Sequence, residues 1–204
     1  MAAVCPINLD RERLKAEVRA TYAQVAQNPE GDFHFHRGAA YAAEFLGYDL
    51  NELRALPLTA TAPFAGVGNP FLMEDIPAGA TVIDLGSGAG MDCLLAGRRV
   101  GTAGRVTGID MTDAMLERAR RGAAEARLAQ VQFEKADITA LPLGPESVDI
   151  VISNGVINLL PDKTGVFNEL YRVVRPGGRL QFADIVIETE LSEDARNNID
   201  LWTG

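Results

Sequence analysis

The stretch Thr81-Val82-Ile83-Asp84-Leu85-Gly86-Ser87-Gly88-Ala89-Gly90 runs from apolar residues into an acid and then into glycines at every second position. This pattern predicts a short buried strand to about Leu85, a sharp turn, and a helix. Glycine has no Cβ, so Gly86, Gly88 and Gly90 let a ligand lie against the backbone. The helix start beyond them offers unpaired N–H groups and the positive end of a dipole. A dinucleotide fingerprint needs Gly-x-Gly-x-x-Gly, but position 91 is Met and the third glycine comes one residue early. The Gly-Lys-Ser/Thr ending of a P-loop is absent too.

Outward from this turn, strands and helices alternate. Strands are expected at 81–85, 105–110, 131–135, 148–153 and 179–187, with helices at 89–99, 112–127 and 163–174. Such alternation gives an α/β fold, a doubly wound, mostly parallel Rossmann-like sheet with helices on both faces. Upstream, residues 10–27 read as an amphipathic helix capped by Asp10, with Leu14, Val18, Tyr22 and Val25 at helical spacing. Helices follow at 39–46 and, behind an Asp49 cap, up to Pro57; residues 58–77 read as irregular. Residues 1–77 are therefore expected to form a helical N-terminal cap and lid, and residues 78–204 the main domain.

Ligands of parallel sheets bind at the carboxyl ends of the strands. Asp110, ending the second strand, is placed to accept hydrogen bonds from both hydroxyls of a ribose. Met111 is then placed to pack on a base. Ala136-Asp137-Ile138 follows the third strand, where a carboxylate suits an adenine amino group. Ser153-Asn154-Gly155 ends the fourth.

These strand ends, with Val174-Arg-Pro-Gly-Gly178, resemble the class I S-adenosylmethionine-dependent methyltransferases across residues 80–187. The chain is similar in particular to the arsenite methyltransferases, through Gly68-Asn69-Pro70, Ser153 to Leu159, and Leu201-Trp202-Thr203-Gly204. The resemblance implies S-adenosyl-L-methionine as cofactor, held by Asp84, Gly86, Gly88, Asp110, Met111, Asp137 and Ser153, with Ser87, Gly90, Ala136 and Ile138 beside them. It places sulfonium and methyl acceptor near Ser153-Asn154-Gly155. Arsenite methyltransferases hold As(III) on cysteine thiolates, which are soft ligands. Two of those positions are Val67 and Gly155 here, and a third lies beyond Gly204. Cys5 and Cys93 occupy none of them, so arsenite is not the expected acceptor. The antiparallel hairpin that usually completes this sheet is not expected in the 17 residues after Ile187, which read as helix with Ser192 as a cap. Either the chain is cut short, or the protein is a short form, or a partner such as a second copy covers the open edge.

Several residues carry two readings. Asp110 either caps the helix at 112–127 or binds ribose; Thr112 already suits the cap, which favours ribose. Met111 and Met115 serve the core or the base, and Asp137 serves the adenine or a turn before Leu141-Pro142. His34 and His36 lie on one side of an extended segment, with no third metal ligand at suitable spacing. Lid packing, with Phe33 and Phe35 closing over the cofactor, is favoured, and no metal is expected. Arg37 meets a carboxylate of cofactor or substrate, or is solvated. Asn69 organises its loop and lines the acceptor pocket, which Asn154 also borders.

No catalytic residue is assigned. Asn154 and Asn158 are neutral, so the end of the fourth strand shows no base unless the lid brings in His34 or His36. That suits a small acceptor such as a thiol, a metalloid or an activated carbon. The rival readings are a non-catalytic cofactor-binding or assembly protein and an NAD(P)-dependent oxidoreductase. A net charge of −9 disfavours nucleic acid and anionic membranes as partners. No apolar run approaches the ~20 residues of a membrane span. The first residues lack a basic start, and with two cysteines in the chain a cytoplasmic location is expected.

Overall fold

The computed structural model describes residues 11–160, 162–186, 188 and 192. The Asp10 cap, Cys5, the helix after Ser192 and the segment 201–204 fall outside the described residues, and with them the question of a closing hairpin.

The order of elements is α1 (Arg11–Gln27), α2 (Gly38–Phe45), α3 (Leu50–Arg54), α4 (Leu58–Thr61), β1 (Thr81–Leu85), α5 (Met91–Val100), β2 (Arg105–Asp110), α6 (Asp113–Glu125), β3 (Val131–Lys135), β4 (Val148–Asn154), α7 (Lys163–Val173) and β5 (Val174–Ala183). The five strands form one parallel sheet in the order β3-β2-β1-β4-β5. The order reverses between β1 and its two neighbours, which opens a crevice above the ends of β1, β2 and β4.

Side chains of a strand alternate between faces, and here both faces are buried. Ile83 and Leu85 of β1 join Ile109, Val151 and the Val166, Leu170 and Val173 stripe of α7. Val82 faces the other way, with Val106, Ile150 and Ile152, into a cluster containing Leu94 and Leu95 of α5 and Leu116 and Ala119 of α6. Tyr48, Leu53, Leu56 and Ala60 belong to that same cluster, so α2–α4 and the loop between α2 and α3 share the core of the sheet. Asp84 has the parity of Val82 and therefore points to the α5 side.

Three local expectations are corrected. Residues 58–77 are not wholly irregular: α4 forms behind Pro57, and a 3-10 turn forms at Pro70–Leu72 behind an Asn69 cap. Both are too short for a periodic signal. Strand β5 begins at Val174 rather than Arg179, because Val148 pairs with Val174 and Ile150 with Arg179, and the Pro-Gly-Gly segment bulges out between them. Thr112 occupies the N-cap position of α6 but makes no side-chain cap bond. The Thr112 amide instead donates to Asp110 Oδ1 at 2.8 Å.

Candidate active site

A cavity of about 270 Å³ lies in the crevice. Its wall contains Asp84, Gly86, Ser87, Gly88 and Asp110–Thr112 from the first two strand ends. Ala136, Asp137 and Ile138 follow from the third, and Asn154–Val156 from the fourth. The sequence-selected residues Gly90, Ser153, His34, His36, Arg37 and Asn69 are not in this wall.

The glycines differ in what surrounds them. Gly88 has φ +52°, and a Cβ there would meet no heavy atom closer than Met115 Sδ at 4.0 Å, so that side of the residue stays open to the cavity. A Cβ on Gly86 would meet Val156 Cγ2 at 2.4 Å, and one on Gly90 would meet Phe133 at 2.6 Å. Gly90 is thus a packing position at the start of α5. Ser153 is buried, and its hydroxyl donates to the Leu85 carbonyl across the sheet at 3.3 Å.

Asp110 is held by two amides, Gly88 N–H at 2.9 Å and Thr112 N–H at 2.8 Å. Burial raises its pKa despite these bonds. Tyr22 of α1 lines the same region, and burial and then the Asp110 charge raise its phenol to about 12. Tyr22 also stacks on Phe35 with ring centroids 5.9 Å apart. Phe33 and Phe35 pack with Val25, Ala26, Ala89 and Met115 over the glycine turn, while His34 and His36 face outward, as the alternation predicts. His36 is spent on a stack with Tyr41 at 5.1 Å, so neither histidine stands at the cavity as a base. Arg37 does not reach a ligand carboxylate. Its guanidinium donates to the carbonyls of Pro29 at 3.0 Å and Gly31 at 2.6 Å and lies 4.2 Å from the Phe33 ring centre.

Helix α1 roofs the cavity with Lys15, Val18 and Tyr22. Lys15 Nζ bonds Asp137 Oδ2 at 2.5 Å across the rim. Partial burial pushes Asp137 up, but the bonds from Lys15 and Thr139 outweigh it and take the carboxyl down to about 2. The spacing of Val18 and Tyr22 announced an apolar stripe, and nothing in it said that the stripe would face a ligand.

A buried polar network lies at the opposite end. Tyr48 OH donates to Asp92 Oδ1 at 2.8 Å, and Asn154 Nδ2 faces Asp92 Oδ2 at 3.1 Å, Tyr48 OH at 3.0 Å and Gly68 O at 2.8 Å. Asn154 Oδ1 accepts from Val67 N at 2.8 Å and Gly68 N at 3.1 Å. Asn154 therefore clips the loop 66–68 onto the end of β4. A Cβ on Gly66 would lie 2.4 Å from Asn154 Nδ2, so the loop meets the amide backbone-first. Asn69 caps the next turn through Phe71 N and donates to Gly47 O, which organises the loop from outside the cavity. The strand-4 end is not without an acid, because the first turn of α5 brings Asp92 there. Burial raises Asp92 to about 6, against the lowering effect of Asn154 and Tyr48.

The positions for which the arsenite methyltransferase resemblance implies cysteine are neighbours. A Cβ on Gly155 would lie 3.1 Å from Val67 Cγ1. Cys93 is buried on α5 and its thiol donates to Asp84 Oδ2 at 3.1 Å.

Residues 76–203 match the family model described as a methyltransferase domain. The chain belongs to the class I S-adenosylmethionine-dependent methyltransferases. The arsenite methyltransferase of Halobacterium salinarum is 42% identical over 208 aligned positions, covering 96% of this chain and 53% of that protein. The arsenite methyltransferase of Homo sapiens is 41% identical over 131 positions, covering 59% of this chain and 35% of that protein. The crystal structure of an arsenic (III) S-adenosylmethionine methyltransferase from Chlamydomonas reinhardtii superposes with a TM-score of 0.60 at 40% identity, over 65% of this chain and 46% of that one. The chain spans about half the length, or less, of these relatives.

The methyltransferase cavity fits its cofactor, S-adenosyl-L-methionine. The open backbone at Gly88 is a cradle that a Cβ would fill. The donor set is chemically suited as well: carboxylates at both ends match hydroxyl and amino groups, and Met111 and Ile138 offer apolar surface between them. No helix among the described residues is long and apolar enough to cross a membrane.

The Asn154 clip gives a stability prediction. Asn154→Ala strips the partner from the Val67 and Gly68 amides, the Gly68 carbonyl and Asp92 together. Leaving buried polar groups unpaired costs about 1–3 kcal/mol each where water cannot reach them, so an overall loss of about 2–4 kcal/mol is expected. A denaturant midpoint shift checks it, and an unchanged midpoint would show that water replaces the clip.

Proposed function

We propose that this chain transfers the methyl group of S-adenosyl-L-methionine to a small, soft nucleophile in the enclosed pocket beside Asn154, and that arsenite is not that nucleophile. The observation that carries the acceptor reading is the wall at that end. Phe64, Ala65, Gly66, Val156, Leu159 and Leu160 border a space whose polar groups include Asp84, Asp92, Asn154 and Asp162. Asp184 supports this wall by accepting from the amides of Ile157 at 2.9 Å and Asn158 at 3.2 Å. Such a space suits a small molecule, and alignment of nucleophile with methyl carbon then supplies about 7–11 kcal/mol of effective-molarity advantage.

Val67 beside Gly155 offers methyl groups where a soft metalloid needs thiolates, and Cys93 is committed to Asp84 behind the wall. A thiol or an activated carbon acceptor suits the apolar lining better. Thermal denaturation tests both parts. S-adenosylhomocysteine is expected to raise the melting temperature, and NAD(P) is not. Arsenite is expected to add nothing to the S-adenosylhomocysteine complex. Stabilisation by NAD(P) alone would replace the methyltransferase reading, and a saturable arsenite shift would overturn the substrate reading only.

A further inference from the structure

Two carboxylates, Asp84 and Asp92, stand in the wall of the same cavity at its β1–β4 end, and both are almost wholly buried. They come from different elements. Asp84 points to the α5 side of β1, and Asp92 lies in the first turn of α5. Among the described residues each is held by neutral donors: Cys93 Sγ on Asp84, Tyr48 OH and Asn154 Nδ2 on Asp92. The cation that acts on Asp92 is Arg99 of the same helix. Its guanidinium is already paired with Glu52 at 2.9 Å and stacked over Phe71 at 4.3 Å. On the far side, Asp110 adds a further negative charge that acts on Asp84. Two like charges in a low-dielectric wall cannot both stay ionised without a proton or a cation to offset them. The acids of the adenosine end differ, since Asp110 accepts two backbone amides and Asp137 bonds Lys15 and Thr139. Two buried carboxylates without a cationic hydrogen-bond partner, one acting on the other, therefore meet at Asp84 and Asp92.

We propose that Asp84 and Asp92 act together as a proton-exchanging counter-ion for the cationic end of the cofactor: the pair holds a proton when the cavity is empty, releases it when the donor's ammonium and sulfonium enter, and so reads donor from product by charge. The proposal rests on S-adenosylmethionine being the ligand of this cavity. The proton leaves one carboxylic acid for solvent, and nothing else is made or broken. Methyl transfer converts the sulfonium to a neutral thioether, the pair loses one of its two cationic partners, and proton return favours product release. The direction of the pKa shifts agrees, because burial raises both carboxyls and the Asp92 charge raises Asp84 further.

The sign follows from linkage. A group that is protonated in the free protein and ionised in the complex makes binding tighten as pH rises through its free-state value. Titration calorimetry at about pH 6, in two buffers of different ionisation enthalpy, counts the protons directly. S-adenosylmethionine is expected to release about half a proton or more, and S-adenosylhomocysteine clearly less. Asp92→Asn is expected to abolish the difference between the two ligands while still binding S-adenosylhomocysteine. Tyr48→Phe removes a donor from the ionised carboxylate, so its proton release should persist to higher pH than in the unsubstituted protein. The unsubstituted protein and Tyr48→Phe carry the test if Asp92→Asn does not fold. Equal proton counts for the two ligands in the unsubstituted protein overturn the proposal and leave the cofactor assignment intact. Absence of heat and of thermal stabilisation with both ligands overturns the cofactor assignment itself.

Discussion

Asp110→Ala is expected to bind S-adenosylhomocysteine at least about 30-fold more weakly than the unsubstituted protein, because it loses charge-assisted hydrogen bonds that contribute about 1.5–3 kcal/mol each. The carboxylate has two tasks. It accepts from Gly88 N and Thr112 N, and so joins the glycine turn to the start of α6. It also lines the cavity at the end of β2, where ribose hydroxyls are expected. Loss of the first task weakens any ligand of the turn, and loss of the second weakens only ligands with hydroxyls to offer. A 2′-deoxy analogue of S-adenosylhomocysteine separates them. On the unsubstituted protein it should bind more weakly than the parent, and on Asp110→Ala the two should bind alike. Full affinity of Asp110→Ala for the parent ligand would remove Asp110 from the cofactor site.

The glycine turn should divide into a glycine that serves the fold and one that serves the ligand. Gly86→Ala is expected to cost about 2–5 kcal/mol of stability. About 1–2 kcal/mol comes from an L-residue at positive φ, and about 1–3 kcal/mol from forcing a methyl into a packed site. The site in question is Val156, 2.4 Å from the new Cβ, and the φ is +63°. Gly88→Ala carries the strain without the clash, since the new Cβ would meet no heavy atom closer than Met115 Sδ at 4.0 Å. Its stability loss should stay near 1–2 kcal/mol. Its ligand affinity should fall at least about tenfold, because the methyl occupies the approach to the backbone. Denaturant midpoints and calorimetry on the two variants give the crossed pattern. Equal stability losses with equal affinity losses would mean that the turn acts as one unit.

The parts of the site that were legible in the sequence lie at strand ends. Asp84 near the end of β1, Asp110 at the end of β2 and Asp137 just after β3 belong to strands that their apolar residues announce, and all three line the cavity. The Phe33-His34-Phe35-His36 alternation likewise indicated which rings turn inward. Arg37 was not legible, because the carbonyls it binds belong to a loop whose path no local pattern specifies. Asp92 is locally no more than an acid in the first turn of a helix, where the dipole favours a negative charge. Its role depends on Tyr48, 44 residues earlier, and on Asn154, 62 residues later.

By itself, then, the sequence determined the alternation of strand and helix and the family, along with the acids at the strand ends. These are consequences of local period and of residues close together in the chain. The tertiary structure decided which glycine faces the ligand, that Val67 abuts Gly155, and that a second carboxylate joins Asp84 in the pocket wall. Each of these is a contact between segments far apart in the chain. Packing selects such contacts by volume and by the need to pair buried polar groups, and neither leaves a periodic trace along the chain.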